Sequence, residues 1–173
     1  LGLIENADWM EPDQRASEVA RLKKMIELGR SRINSVTCLE KELFRIHDSF
    51  VAPGFRYSEF GAVVLLSPDR RVMRVHFATD RSNNGSLDMS MIAGQVRSDL
   101  KRGFTPYIHL HSHPFDFQNP SRDFAPIGPS GPDLELYIAG RFEYGIITNG
   151  LDSFRMERAA YEAIYSSGSD RLK

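Results

Sequence analysis

A chain of 173 residues with 41% hydrophobic and 10% aromatic residues carries enough apolar material for the core of one domain. Its net charge of -1 excludes a strong overall field for nucleic acid or an anionic membrane. A single cysteine, Cys38, excludes a scaffold held by internal disulfides, and no apolar run approaches the roughly twenty residues of a membrane span. We therefore expect a cytoplasmic protein, or a domain of a larger or exported one, with no nucleic-acid and no membrane partner.

The first third of the chain has the pattern of helices. Apolar residues recur at roughly helical spacing before Gly29, and again from Val36 to about Phe50, before the turn signal Pro53-Gly54. We predict that residues 1–54 form an N-terminal helical extension packed on the domain that follows. Cys38, on the second of these helices, is predicted to be a small buried apolar residue.

From residue 55 the pattern alternates between strands and helices. The predicted strands are 60–66, 71–78, 107–111, 142–148 and 153–156, and the predicted helices are 87–100, 134–139 and 159–165. The first two strands form a hairpin, and Asn149-Gly150 marks a second hairpin. Met91 and Tyr161 are predicted to pack in the core. The sequence thus predicts an α/β (α+β) domain over residues 55–166, a mixed β-sheet flanked by helices, with a flexible tail over 167–173.

Three of the five histidines lie in, or two residues after, one predicted strand. His109, His111 and His113 alternate with other residues, so their imidazoles should point to one face of the sheet. Asp133 follows at a distance from which a helix beginning near Ser130 could return its carboxylate to that face. Two imidazoles and one carboxylate are a common way to hold a catalytic zinc with a fourth position open, which suggests a zinc hydrolase.

The residues around this strand resemble the signature of the JAMM (MPN+) metallopeptidases, in the prokaryotic JAB-domain style. His111-Ser112-His113-Pro114 corresponds to H-[ST]-H-P, and Ser130-Gly131-Pro132-Asp133 corresponds to S-x-x-D. Glu59, before Phe60-Gly61, stands where the family has an upstream glutamate. The resemblance runs from Glu59 to about Glu157.

The resemblance implies a JAMM/MPN-like fold with cytidine-deaminase-like layering and a site for Zn²⁺ at His111, His113 and Asp133. It implies that Glu59 takes a proton from the zinc-activated water and passes it to the leaving amine. Ser130 would donate a hydrogen bond to the oxyanion of the intermediate. The substrate would be a peptide or protein, with a ubiquitin-like or other conjugated protein as one candidate.

Several alternatives stay open on the sequence. His109 is a structural residue, or it replaces His113 as a ligand in a pair with His111. Ser130 and Asp133 also match a capping box, which competes for the Asp133 carboxylate. Asp116 and Asp123 are nearer to the histidines and are rival ligands. The 115–129 loop, which is longer than the family's usual interval, is either anchored by its aromatic residues or a lid beside the metal.

Alternatives also remain for the function. A catalytically inactive MPN-like module that serves in protein binding or as a scaffold is one. A different zinc amidohydrolase, acting on cell-wall or small-molecule amides, is another. The sequence specifies neither the oligomeric state nor the role of the N-terminal helices.

Overall fold

The computed structural model describes residues 11–13, 15, 16, 19, 20, 23, 24, 32–50, 59–80, 87–113, 128–150 and 152–169. All the described positions from 12 to 24 are helical, as predicted for the first helix. The predicted turn at Pro53-Gly54 and most of the 115–129 loop, including Asp116 and Asp123, lie outside the described residues.

Six strands and four helices follow in the described part of the chain. They are β1 (Arg32–Ser35), α1 (Cys38–Phe50), β2 (Phe60–Leu66), β3 (Met73–Thr79), α2 (Ser90–Lys101), β4 (Thr105–Ser112), α3 (Gly131–Gly140), β5 (Tyr144–Thr148), β6 (Asp152–Glu157) and α4 (Arg158–Ser169). The order predicted from residue 60 onward is confirmed. Strand β1 was not predicted, because its four residues, RINS, carry too little apolar alternation to mark a strand. Helix α4 extends past its predicted end at Tyr165, to Ser169.

The strands form one mixed sheet in the order β1-β6-β5-β4-β2-β3. Strands β4 and β5 are parallel, and the other neighbouring strands are antiparallel. Both predicted hairpins, β2–β3 and β5–β6, are present, and Gly150 in the second turn has φ of 88°, which glycine adopts at little cost. The predicted mixed sheet flanked by helices is therefore confirmed.

Helices cover both faces of this sheet. Alternate residues of β2 explain the arrangement, because Phe60, Ala62 and Val64 pack on one face with Leu43 of α1. The residues between them, Val63 and Leu65, pack on the other face with Ile92 of α2. Helices α3 and α4 pack together with β6 through a third cluster, whose largest members are Tyr137 and Tyr161. The strand β4 thus lies in the middle of the sheet with helices above and below.

Two packing predictions were wrong and one is confirmed. Tyr161 is fully buried, as predicted. Met91 is 63% exposed, because its neighbour Ile92 is the residue that faces the sheet. Cys38 is exposed at the start of α1, where Leu39 and Leu43 provide the packed face.

No helix among the described residues has both the length and the apolar character to cross a membrane.

Candidate metal centre

Strand β4 brings the three predicted histidines to one face of the sheet. His109 and His111 lie within the strand, and His113 follows its last residue. The His113 N–H donates to the Thr148 carbonyl at 2.9 Å, which continues the β4–β5 pairing past the end of the strand. Ring centroids are 5.5 Å apart for His109 and His111, and 4.8 Å apart for His111 and His113. The prediction that the three imidazoles share a face is confirmed.

Helix α3 brings Asp133 to these rings, and its first turn shows why the helix starts where it does. Ser130 is the N-cap, and its backbone N–H and its hydroxyl both donate to Asp133 Oδ2 at 2.6 Å. The other carboxylate oxygen, Oδ1, lies 3.2 Å from His111 Nε2. The capping box predicted from the sequence is therefore present, and it leaves the carboxylate facing the histidines.

The donor atoms of His111, His113 and Asp133 converge on one point, all within 4.8 Å of one another. The two Nε2 atoms are 3.0 Å apart, and the carboxylate oxygens lie 3.2 Å from His111 Nε2 and 3.7 Å from His113 Nε2. In a tetrahedral site with zinc–nitrogen distances of about 2.0–2.1 Å, ligand atoms lie about 3.3 Å apart. The three side chains therefore fit a zinc ion, although such a donor set also suits other divalent transition metals.

The ionisation of Asp133 suits a metal ligand. Burial by itself would raise the pKa of this carboxyl group, but the hydrogen bond and the charge from His111 and the two hydrogen bonds from Ser130 outweigh it. The pKa of Asp133 is consequently held well below its ordinary value. The carboxylate stays ionised at neutral pH.

His109 lies outside the group of converging ligands. Its ring is 2% exposed and packs against Tyr137 and Phe142, with centroids 5.4 and 5.3 Å away. Neither ring nitrogen has a hydrogen-bond partner among the described residues. Burial, together with the charge of His111, lowers the pKa of His109 to about 3, so the ring is neutral at physiological pH. The sequence left open whether His109 is a structural residue or a metal ligand, and the geometry supports the structural role.

Glu59 lies beside the same face, immediately before β2. Its carbonyl accepts the Asp80 N–H at 2.7 Å, which continues the β2–β3 pairing by one residue. Gly61 pairs with His111, and Glu59, two residues earlier, points to the same face of the sheet as Gly61. Burial raises the pKa of Glu59 to about 7; the charge of His111 opposes this shift, and those of Asp133 and Asp80 add to it. The structure thus brings Glu59 within electrostatic reach of the predicted ligands.

Two contacts at the site were not predicted from the sequence. The Tyr137 hydroxyl lies 3.4 Å from His111 Nδ1, and the only sequence signal for it is the spacing of four residues after Asp133, which puts both on one helix face. The Ser112 hydroxyl accepts the Phe60 N–H at 3.0 Å, and so ties the start of β2, next to Glu59, to the end of β4. This second contact has no local sequence signal, since it joins residues 52 positions apart.

Comparison with known proteins adds no further information about the site. Searches against protein-family models, curated proteins and solved structures found no significant match. The case for a function therefore depends on the geometry and the ionisation of the residues described above.

Proposed function

We propose that this chain is a zinc-dependent hydrolase of the JAMM (MPN+) type, which cleaves a peptide, isopeptide or other amide bond with an activated water. One observation carries the proposal. The donor atoms of His111, His113 and Asp133 converge within 4.8 Å of one another, and beside them lies Glu59, whose pKa is raised by burial to about 7. The order of strands and helices from residue 60 onward also supports it.

The Nε2 atoms of His111 and His113 and the carboxylate of Asp133 would hold the metal. When bound, zinc would supply a Lewis acid and lower the pKa of a coordinated water to about 7. The ligands are largely sheltered from solvent, with 6% of the His111 side chain and 17% of the other two exposed. The end of a central strand and the first turn of a helix would give these ligands a rigid support.

Glu59 has the properties of the proton carrier. Burial raises its pKa to about 7 in the metal-free protein, so both of its protonation states are populated there near neutral pH. Such a carboxylate can accept a proton from the attacking water and then donate it to the nitrogen of the departing amine. Breaking an amide requires both transfers, since the amine leaves poorly without a proton.

Ser130 has two possible contributions that an experiment can separate. Its hydroxyl donates to Asp133 Oδ2 at 2.6 Å, which orients the carboxylate. To donate to the oxyanion of a tetrahedral intermediate, the hydroxyl must turn away from Asp133. Substitution of Ser130 by Ala would lower metal affinity in the first case, and would lower kcat at full metal occupancy in the second.

Metal analysis of purified protein tests the site. We expect one zinc per chain in the wild type and less than stoichiometric zinc in His113→Ala and Asp133→Ala. His76→Ala is a matched control, because His76 Nε2 also lies 3.0 Å from a carboxylate, that of Asp99, outside the three-ligand group. Stoichiometric zinc in both ligand variants would refute the proposed site.

A second variant tests the hydrolase. Glu59→Gln keeps the shape of the side chain but cannot carry a proton, so it should keep its zinc and lose turnover. The assay is a panel of peptide amides and isopeptide-linked conjugates, including ubiquitin-like proteins, followed by mass spectrometry. If Glu59→Gln cleaves a substrate as fast as the wild type, Glu59 is not the proton carrier.

A further inference from the structure

Both ring nitrogens of His111 meet side chains from the same helix. Asp133 and Tyr137 are four residues apart in α3, so they lie on one face of that helix, one turn apart. Asp133 Oδ1 is 3.2 Å from His111 Nε2, and the Tyr137 hydroxyl is 3.4 Å from His111 Nδ1. The imidazole is therefore contacted at both ends.

We infer that Tyr137 is a positioning residue for the metal site, whose hydroxyl accepts the Nδ1–H of His111 and so directs the Nε2 lone pair at the metal. The inference depends on the proposed metal site but not on hydrolysis. Tyr137 does not touch the reacting atoms and acts through His111.

The chemistry of the imidazole explains why such a partner is needed. A neutral imidazole has one N–H and one lone pair, so a ring that binds a metal through Nε2 must carry its proton on Nδ1. His111 is 5% exposed, so its Nδ1–H needs an acceptor supplied by the protein. The oxygen of the Tyr137 hydroxyl, 3.4 Å from Nδ1, has lone pairs that can accept this hydrogen.

The surroundings of Tyr137 hold its ring in one place. The ring lies directly over Gly145 of β5, where an added Cβ would come within 2.4 Å of Tyr137 Cε2. The ring of Tyr161 packs 5.6 Å away, and its hydroxyl donates to the Phe142 carbonyl, so it is the ring of Tyr161 that supports Tyr137. Tyr137 itself is fully buried. A hydroxyl on a ring fixed in this way has a fixed position relative to His111.

Tyr137 could also be explained as an aromatic residue that only fills the core. A phenylalanine would serve that purpose equally well, so the experiment removes the hydroxyl alone. Tyr137→Phe should bind Zn²⁺ at least about tenfold more weakly than the wild type in competition with a chromophoric chelator, the range known for partners that orient metal ligands being about 10–100-fold. Tyr161→Phe is the matched control, since it removes a buried phenol hydroxyl from the same cluster without touching His111. It should bind zinc as the wild type does.

Two spectroscopic measurements separate positioning from packing. The Co²⁺-substituted Tyr137→Phe protein should show altered visible absorption bands, whereas the Tyr161→Phe protein should not. In the zinc-loaded wild type, the His111 Nδ1–H should give a slowly exchanging proton resonance with cross-relaxation to the Tyr137 ring protons. The latter test needs no variant and holds even if Tyr137→Phe does not fold.

The outcomes distinguish this inference from the proposed function. A wild type that binds no zinc refutes the metal site, and the inference with it. A wild type that binds zinc, together with a Tyr137→Phe protein of equal zinc affinity and unchanged Co²⁺ spectrum, refutes the inference and leaves the metal site standing. A rapidly exchanging His111 Nδ1–H in the zinc-loaded wild type also refutes it.

Discussion

The substitution His109→Phe should change how the stability of the metal-free protein depends on pH. Burial lowers the pKa of His109 to about 3 in the native state, whereas an unfolded histidine has a pKa of about 6.5. Below pH 6.5 the unfolded chain therefore binds a proton that the native state does not, and stability falls as the pH falls. The charges that face His109 are those of His111 and Asp133.

The expected change in the free energy of unfolding follows from the difference between these two pKa values. Each pH unit between about 6.5 and 3 costs about 1.4 kcal/mol, so lowering the pH from 7 to 5 removes about 2 kcal/mol through His109. Phenylalanine cannot take up a proton. As the pH falls from 7 to 5, the free energy of unfolding of His109→Phe should therefore rise by this amount relative to that of the wild type. At pH 7 the variant should be at least as stable as the wild type, because two buried nitrogens without partners are removed.

Urea unfolding followed by circular dichroism, in chelator at pH 5, 6 and 7, measures this difference. His47→Phe is a matched control with the opposite expectation at neutral pH. The buried His47 Nδ1 and the Thr79 hydroxyl are 2.6 Å apart, so this variant should lose about 1–2 kcal/mol with that hydrogen bond. A difference between His109→Phe and wild type that stays constant from pH 7 to pH 5 would show that His109 is not held neutral by burial.

Further predictions concern the framework of the site. Ser112→Ala removes the acceptor of the buried Phe60 N–H and should lower the free energy of unfolding by about 1–3 kcal/mol, measured by urea unfolding. Gly145→Ala forces a methyl group against the fixed ring of Tyr137 and should cost about 1–3 kcal/mol or more, which thermal unfolding would detect. Gly94→Ala, within α2 and with open space around the added Cβ, should instead stabilise by about 0.5–1 kcal/mol. Equal effects of the two glycine substitutions would contradict the close approach of Tyr137.

Much of the candidate site could be predicted from the sequence because its signals are local. The two-residue period of a strand is enough to put His109, His111 and His113 on one face. The S-x-x-D spacing is enough to predict that a helix starts at Ser130 and that Asp133 lies in its first turn. These two local rules, joined by the resemblance to a known signature, are enough to select the three side chains that converge in the structure.

Other features depend on contacts between distant parts of the chain. Strand β1 forms only by pairing with β6, from which it is separated by more than a hundred residues. The approach of Tyr137 to His111 requires the space above Gly145, and nothing near Tyr137 in the sequence signals that space. The exposure of Met91 is decided by which neighbouring side chain of α2 meets the sheet.

The carboxylate of Asp133 closes the first turn of α3 and also faces the histidines. Opening that turn would free the carboxylate from the hydrogen bonds that hold it in place, so the local unfolding of the helix end and the release of a metal would be one linked equilibrium. A bound metal would thereby slow hydrogen exchange at the amides of this turn, and fraying of the turn would set a lower limit on the metal's dissociation rate. Asp133, which closes the first turn of the helix, would thus also govern how long a bound metal ion stays.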